Sequence, residues 1–66
     1  MIITADKKTV TVNDPVYNYY DMVAVTIIES PDYEGWFDTV DAVGKKYLLN
    51  GERICSVEFA KGKGWL

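Results

Sequence analysis

The stretch SPDYEGWFDTVD, Ser30 to Asp41, gathers more chemically active side chains than any other part of the chain. Glu34, Asp38 and Asp41 could supply paired carboxylates for acid–base work. In an extended segment, however, residues three apart point to opposite faces, so Asp38 and Asp41 diverge. A calcium loop of the EF-hand kind needs glycine at its sixth position and glutamate at its twelfth. Counted from Asp32, glycine arrives at the fourth position and the twelfth is Val43. There is no histidine, so neither a Ser-His-Asp nor a Cys-His arrangement can be assembled. One cysteine, Cys55, excludes an internal disulfide, and one thiol without any histidine effectively excludes an all-protein zinc site. Next to Ile54 on an expected strand, Cys55 reads as a small buried hydrophobe and not as a reactive thiolate. Lys61-Gly62-Lys63-Gly64 lacks the spacing of a phosphate-binding loop. No enzyme activity, metal or cofactor is expected.

Recognition is left. Six of the nine aromatic residues, Tyr17, Tyr19, Tyr20, Tyr33, Trp36 and Phe37, interleave with mid-chain acids. Residues 9–44 hold seven acids (Asp14, Asp21, Glu29, Asp32, Glu34, Asp38, Asp41) and no base. Residues 45–66 hold five bases (Lys45, Lys46, Arg53, Lys61, Lys63) against Glu52 and Glu58. The net charge of −3 therefore hides an acidic middle and a basic last third. Strand alternation forbids Trp36 and Phe37 from burying on one face, so one enters the core and the other lies outside. Tyrosine and tryptophan give large contact area at low entropy cost, which concentrates them in binding faces. The expected partner-binding set is Tyr19, Tyr20, Asp32, Tyr33, Glu34, Trp36 and Asp38. A bland alternative uses the same aromatics only to fill a small core.

The elements that must position these residues read as strands. Thr9 to Val12 alternates β-branched residues, and Met1 to Thr4 with a turn at Asp6-Lys7 would complete a first hairpin. Met22 to Glu29 is apolar on both faces and reads as a central strand covered on both sides. Asp21 and Glu29 flank it as guards against edge association. Pro31-Asp32 suits the centre of a type I turn, and Gly35 closes that loop. Trp36 to Ala42 resumes an extended pattern, and Val43-Gly44-Lys45 turns it back into Lys46 to Leu49. Asn50-Gly51 is the strongest hairpin signal, suited to a type I′ turn. Beyond it, Glu52 to Phe59 is favoured as a strand, although Ile54, Val57 and Lys61 also fit helical spacing with a stop at Gly62. The fold expected is one all-β domain over residues 1–66, a five- to six-stranded antiparallel, strongly curled sheet with at most a short helical turn.

Loop lengths add a resemblance. A long irregular loop over Asn13–Asp21, a medium one over Ser30–Gly35 and a short one near Gly44 resemble the loop order of SH3-like small barrels. The Gly35-Trp36-Phe37 step, after an acidic loop, is similar to the aromatic pair opening the third strand of SH3 domains. The alanine-leucine-tyrosine-aspartate-tyrosine motif of that family is missing, and Asn50-Gly51 stands in place of its proline-serine-asparagine-tyrosine element. The resemblance implies a barrel architecture and not a polyproline groove.

A chain of 66 residues buries only about 60% of its unfolded surface, and its core supplies ~3–5 kcal/mol. Self-association or a partner would steady it. No charged leader precedes an apolar run, and the Met22–Ile28 run is too short for a bilayer, so a cytoplasmic protein free of membrane is expected. Two functions follow. In the first, a small acidic module docks a basic surface on another protein, as an inhibitor, a DNA mimic or an adaptor of the kind phages and mobile elements encode. In the second, Lys45, Lys46, Arg53, Lys61, Lys63 and Trp65 in the basic third contact nucleic acid, combining charge with a stacking ring. The acidic whole argues against the second, because backbone attraction scales with the phosphates neutralised.

Overall fold

The computed structural model describes residues 1–66. A short antiparallel hairpin opens the chain: β1 (Ile2–Ile3) pairs with β2 (Thr9–Val10), Ile2 opposite Val10. A five-stranded antiparallel sheet follows, built from β3 (Pro15–Asn18), β4 (Val23–Ile27), β5 (Phe37–Asp41), β6 (Lys46–Leu49) and β7 (Ile54–Cys55). Its spatial order is β6-β5-β4-β3-β7, so the last strand crosses over to pair with β3. A 3-10 turn (Gly51–Arg53) makes that crossing, and helix α1 (Val57–Gly62) ends the fold. The sheet is strongly curled, as short strands without a covering layer must be to bury one face.

Alternation sorts the residues. Ile2, Val16, Val25, Ile27, Phe37, Leu49 and Ile54 form the main core. On the opposite face, Tyr17, Cys55 and Ala60 make a smaller cluster with Tyr19 and Trp65 packed against it. Phe37 is the core member of the aromatic pair, and Trp36 stays half-buried.

Three expectations need correction. The Asn13–Asp21 stretch is not an irregular loop. It contains β3, whose Val16, Tyr17 and Asn18 are all buried and which pairs with β4 on one side and β7 on the other. β3, not β4, is the strand covered on both faces, because α1 and Trp65 pack over Tyr17 while Ala24 of β4 remains exposed. Second, Asn50-Gly51 does not close a hairpin. The Asn50 side chain accepts the Glu52 N–H and caps the 3-10 turn. Glycine is required there by close approach, since a Cβ on Gly51 would lie 2.2 Å from the Ile3 carbonyl oxygen. Third, the favoured strand from Glu52 to Phe59 ends after Cys55. Ser56 takes the N-cap, its hydroxyl accepting the Phe59 N–H at 3.1 Å. The helix ends at Gly62, as expected, and Gly64 two residues on closes it. Gly64 has φ +78, its N–H reaches the Lys61 carbonyl, and the Trp65 N–H reaches the Ala60 carbonyl, the paired bonds of a Schellman motif. That motif folds the Trp65 ring back onto Tyr17.

One carboxylate joins the two ends of the chain. Asp6 accepts the Thr4 hydroxyl at 2.6 Å, the Ser56 N–H at 2.9 Å and the Ser56 hydroxyl at 2.6 Å. Every buried side-chain nitrogen and oxygen in the molecule has a partner. Burial by itself would raise the Asp6 pKa, but the bonds from Ser56 and Thr4 outweigh it and hold the carboxyl below its ordinary value. A depressed folded pKa adds stability above the unfolded value of about 3.9, and that contribution is lost as pH falls through the folded pKa. Asp6→Asn is therefore expected to melt lower than wild type at pH 7, with the gap narrowing once pH drops below about 4. Thermal melts from pH 7 to 2 check this; a gap of constant size would show that the Asp6 charge contributes nothing.

Candidate functional site

The structure gathers most of the expected aromatics, together with two bases and Trp65 from the opposing set, into one surface. Two turns and the crossing build it. At the β3–β4 turn, buried Asn18 accepts the Tyr20 and Asp21 N–H groups at 3.1 and 3.2 Å and donates to the Asp21 carboxylate at 2.8 Å. This fixes a turn in which Met22 takes φ 57 and Tyr20 stands 59% exposed. Tyr19 lies half-buried beside it, its hydroxyl donating to the Glu52 carbonyl. Burial raises the Tyr19 pKa, with the charges of Tyr20, Cys55 and Glu52 adding to the effect and Arg53 opposing it.

The β4–β5 loop is equally ordered. One Asp32 carboxylate oxygen accepts the N–H of Glu34 at 2.9 Å and of Trp36 at 3.0 Å. The Asp32 N–H donates to the Trp36 carbonyl, and the Gly35 N–H donates to the Asp32 carbonyl. Asp32 thus opens the turn, with Tyr33 and Glu34 at its centre, two residues later than Pro31-Asp32 suggested. One oxygen of its exposed carboxylate is thus engaged by the loop's backbone. Tyr33 is 97% exposed at the tip.

Arg53, at the end of the 3-10 turn, ties the two together. Its guanidinium lies 4.7 Å from the Tyr20 ring centroid and 5.4 Å from that of Trp36. From Tyr20 the rings continue: Tyr20 to Tyr19 at 5.2 Å, Tyr19 to Trp65 at 6.1 Å, and Trp65 to Phe59 at 6.0 Å, with the Lys63 ammonium 5.4 Å from Phe59. The result is a ladder, Trp36–Arg53–Tyr20–Tyr19–Trp65–Phe59–Lys63, running from the acidic loop to the helix.

Of the partner-binding set, Tyr19, Tyr20 and Trp36 enter the ladder, and Asp32, Tyr33 and Glu34 flank it on the loop. Asp38 does not join them; it belongs to β5, directly opposite Leu48. The basic set divides. Arg53, Lys63 and Trp65 are in the ladder, exposed Lys61 lies on α1, and Lys45 and Lys46 stand at the β5–β6 turn, where Lys45 lies over Tyr47. Trp65 stacks on Tyr17 at 5.8 Å as well as on Tyr19, so its ring is committed to packing. Phe59 went unnoticed in the sequence because Glu52–Phe59 read as strand; Ser56 before Val57 and Gly64 before Trp65 were the available signals of a capped helix.

Elsewhere the surface offers little depth. The largest recess, about 320 Å³ and open, lies between β2 and the start of α1, bordered by Lys8, Thr9, Val10 and Glu58. No group of three or more Asp, Glu or Cys side chains is arranged to hold a metal. No helix is long and apolar enough to cross a membrane. Compared with known protein families, with curated proteins and with solved structures, the chain matches none.

Cys55 is buried against Tyr17 and Ala60, and burial, with the nearby Asp6 charge, raises its thiol pKa. A thiol reagent at neutral pH is expected to label it slowly in the native protein and rapidly in denaturant. Equal rates in both would mean that β7 opens freely.

Proposed function

We propose that this chain is a small non-enzymatic binding module that docks a basic surface of a partner protein through the Asp32–Trp36 loop and the adjoining aromatic ladder. The observation that carries this is Tyr33. A large aromatic side chain, almost wholly exposed, stands at the tip of a loop locked by four hydrogen bonds through Asp32. Such a ring has no packing duty, and the closed turn has already met its ordering cost, which favours tight docking. Exposed Glu34 beside it supplies the negative charge that steers a cationic partner. An SH3-like barrel is the architecture this reading favours, with the curled sheet in support. A cytoplasmic phage or mobile-element inhibitor or adaptor fits the size and acidity of the chain. The nucleic-acid alternative draws less support, since Lys45 and Lys46 stand outside the ladder and the Trp65 ring is already stacked.

The test uses the protein as bait beside its Tyr33→Ala and Glu34→Lys variants, followed by rate measurements on whatever protein only the wild type retains. Tyr33→Ala should speed dissociation about 30-fold, the equivalent of ~2 kcal/mol for a central aromatic anchor. Glu34→Lys should slow association, with the difference vanishing as salt rises toward about 1 M. If both variants bind at wild-type rates, the loop is not the docking face. Preferential, steeply salt-dependent retention of generic DNA would favour the alternative.

A further inference from the structure

We infer that Tyr20 and Trp36 form a seat for a guanidinium group, and that a docking partner fills it with an arginine side chain that displaces Arg53. This rests on the docking reading above and adds the chemical group that it recognises. The two rings come from different elements, the β3–β4 turn and the foot of the β4–β5 loop, yet one cation reaches both. What they accept is visible in the molecule itself: the planar guanidinium of Arg53, 4.7 and 5.4 Å from the two ring centroids. A planar, weakly hydrated cation stacks on aromatic faces in a way that a compact ammonium does not. The seat opens to solvent, because Tyr20 is 59% exposed and Trp36 only half-buried.

The surroundings favour an incoming cation. Asp21, Glu34 and Glu52 are exposed on the three segments that frame the seat, and no other base lies between Lys46 and Lys61 in the sequence. Arg53 is a positive charge on a segment flanked by exposed acids, held by partly exposed cation–π contacts of the weak kind. A partner arginine exchanges one such contact for another and gains the attraction of those acids as well. Arg53 acts as a placeholder that keeps the rings apart until then.

Fluorescent nona-arginine and nona-lysine carry equal charge and serve as probes, with a single-stranded thymidine oligomer as a third. Wild type is expected to bind nona-arginine roughly five- to tenfold more tightly than nona-lysine at 0.1 M salt, because stacking favours the planar cation. Tyr20→Leu should reduce that ratio to near one while leaving nona-lysine affinity in place, and Tyr20→Phe should retain it. Arg53→Gln should widen the ratio; a purely electrostatic effect of removing one positive charge would strengthen both peptides equally. Melting curves of each variant exclude loss of fold as the cause, and exposed Tyr20 tolerates the change where Trp36 would not. Equal binding of both peptides, with loss of both in Glu34→Lys, would overturn the seat and leave the docking face standing. Failure of both peptides to bind, or tighter binding of the oligomer, would overturn both.

Discussion

The carboxylate of Asp6 reinforces a junction of the two chain ends at which the backbone supplies one bond, from the Ala5 N–H to the Ile54 carbonyl at 2.9 Å. It takes three donors from Thr4 and Ser56, fifty residues away, and Ser56 in turn caps α1. The cap fixes where the helix begins, and the Schellman motif at Gly64 fixes where it ends and where Trp65 falls. Trp65 covers Tyr17 and stacks on Tyr19, so the second face of β3 is buried by the helix whose N-cap Asp6 holds. Arg53 and Glu52 lie on the crossing that leads into Ser56. The ladder is thus downstream of one polar junction near the N-terminus.

A 66-residue chain with one cysteine has few other ways to achieve this. The main core comprises seven buried side chains, which is little for a fold whose stability margin is a few kcal/mol at this size. Disulfides and structural metals commonly make up the shortfall in small proteins, and charge-assisted hydrogen bonds to a half-buried carboxylate are another route. The same economy recurs at Asn18 and Asp32, each of which organises a turn through its own side chain. Both of those turns carry the exposed aromatics. Ordered turns and exposed rings go together here, and rigidity at a surface is what makes a ring effective as an anchor.

Much of the fold was legible because it was local. The Ile2–Val10 hairpin, the apolar β4, the Phe37–Asp41 strand and the Gly44 turn into Lys46–Leu49 all follow from alternation and turn chemistry. What escaped the sequence depends on distant partners. Nothing near Val16, Tyr17 or Asn18 reveals that β7 and α1 will cover them, so β3 passed for a loop. Asn50-Gly51 does mark a change of direction, yet the need for glycine comes from the backbone of Ile3, which local propensity cannot show. Of the expected set, Tyr19, Tyr20 and Trp36 share the aromatic ladder, and Tyr33 is exposed on the adjoining loop. Arg53 was assigned to an opposing basic set because charge along a sequence does not reveal which ring a guanidinium will lie against. Asp6 was read as a turn residue, and its role is set by Ser56 at the far end of the chain.

The most direct test of this dependence is a double-mutant cycle on Asp6 and Ser56, by chemical denaturation at neutral pH with Asp6→Ala, Ser56→Ala and the pair. Each single change should destabilise the fold, and the pair should cost less than their sum by about 1–3 kcal/mol, the range for a charged hydrogen bond between neighbours. The loss of the helix cap by Ser56→Ala is common to both arms and cancels. Additivity within about 0.5 kcal/mol would contradict the claim: the two ends of the chain would then be held by apolar packing and the Ala5–Ile54 backbone bond, and the Asp6 junction would be a consequence of the fold and not its constraint.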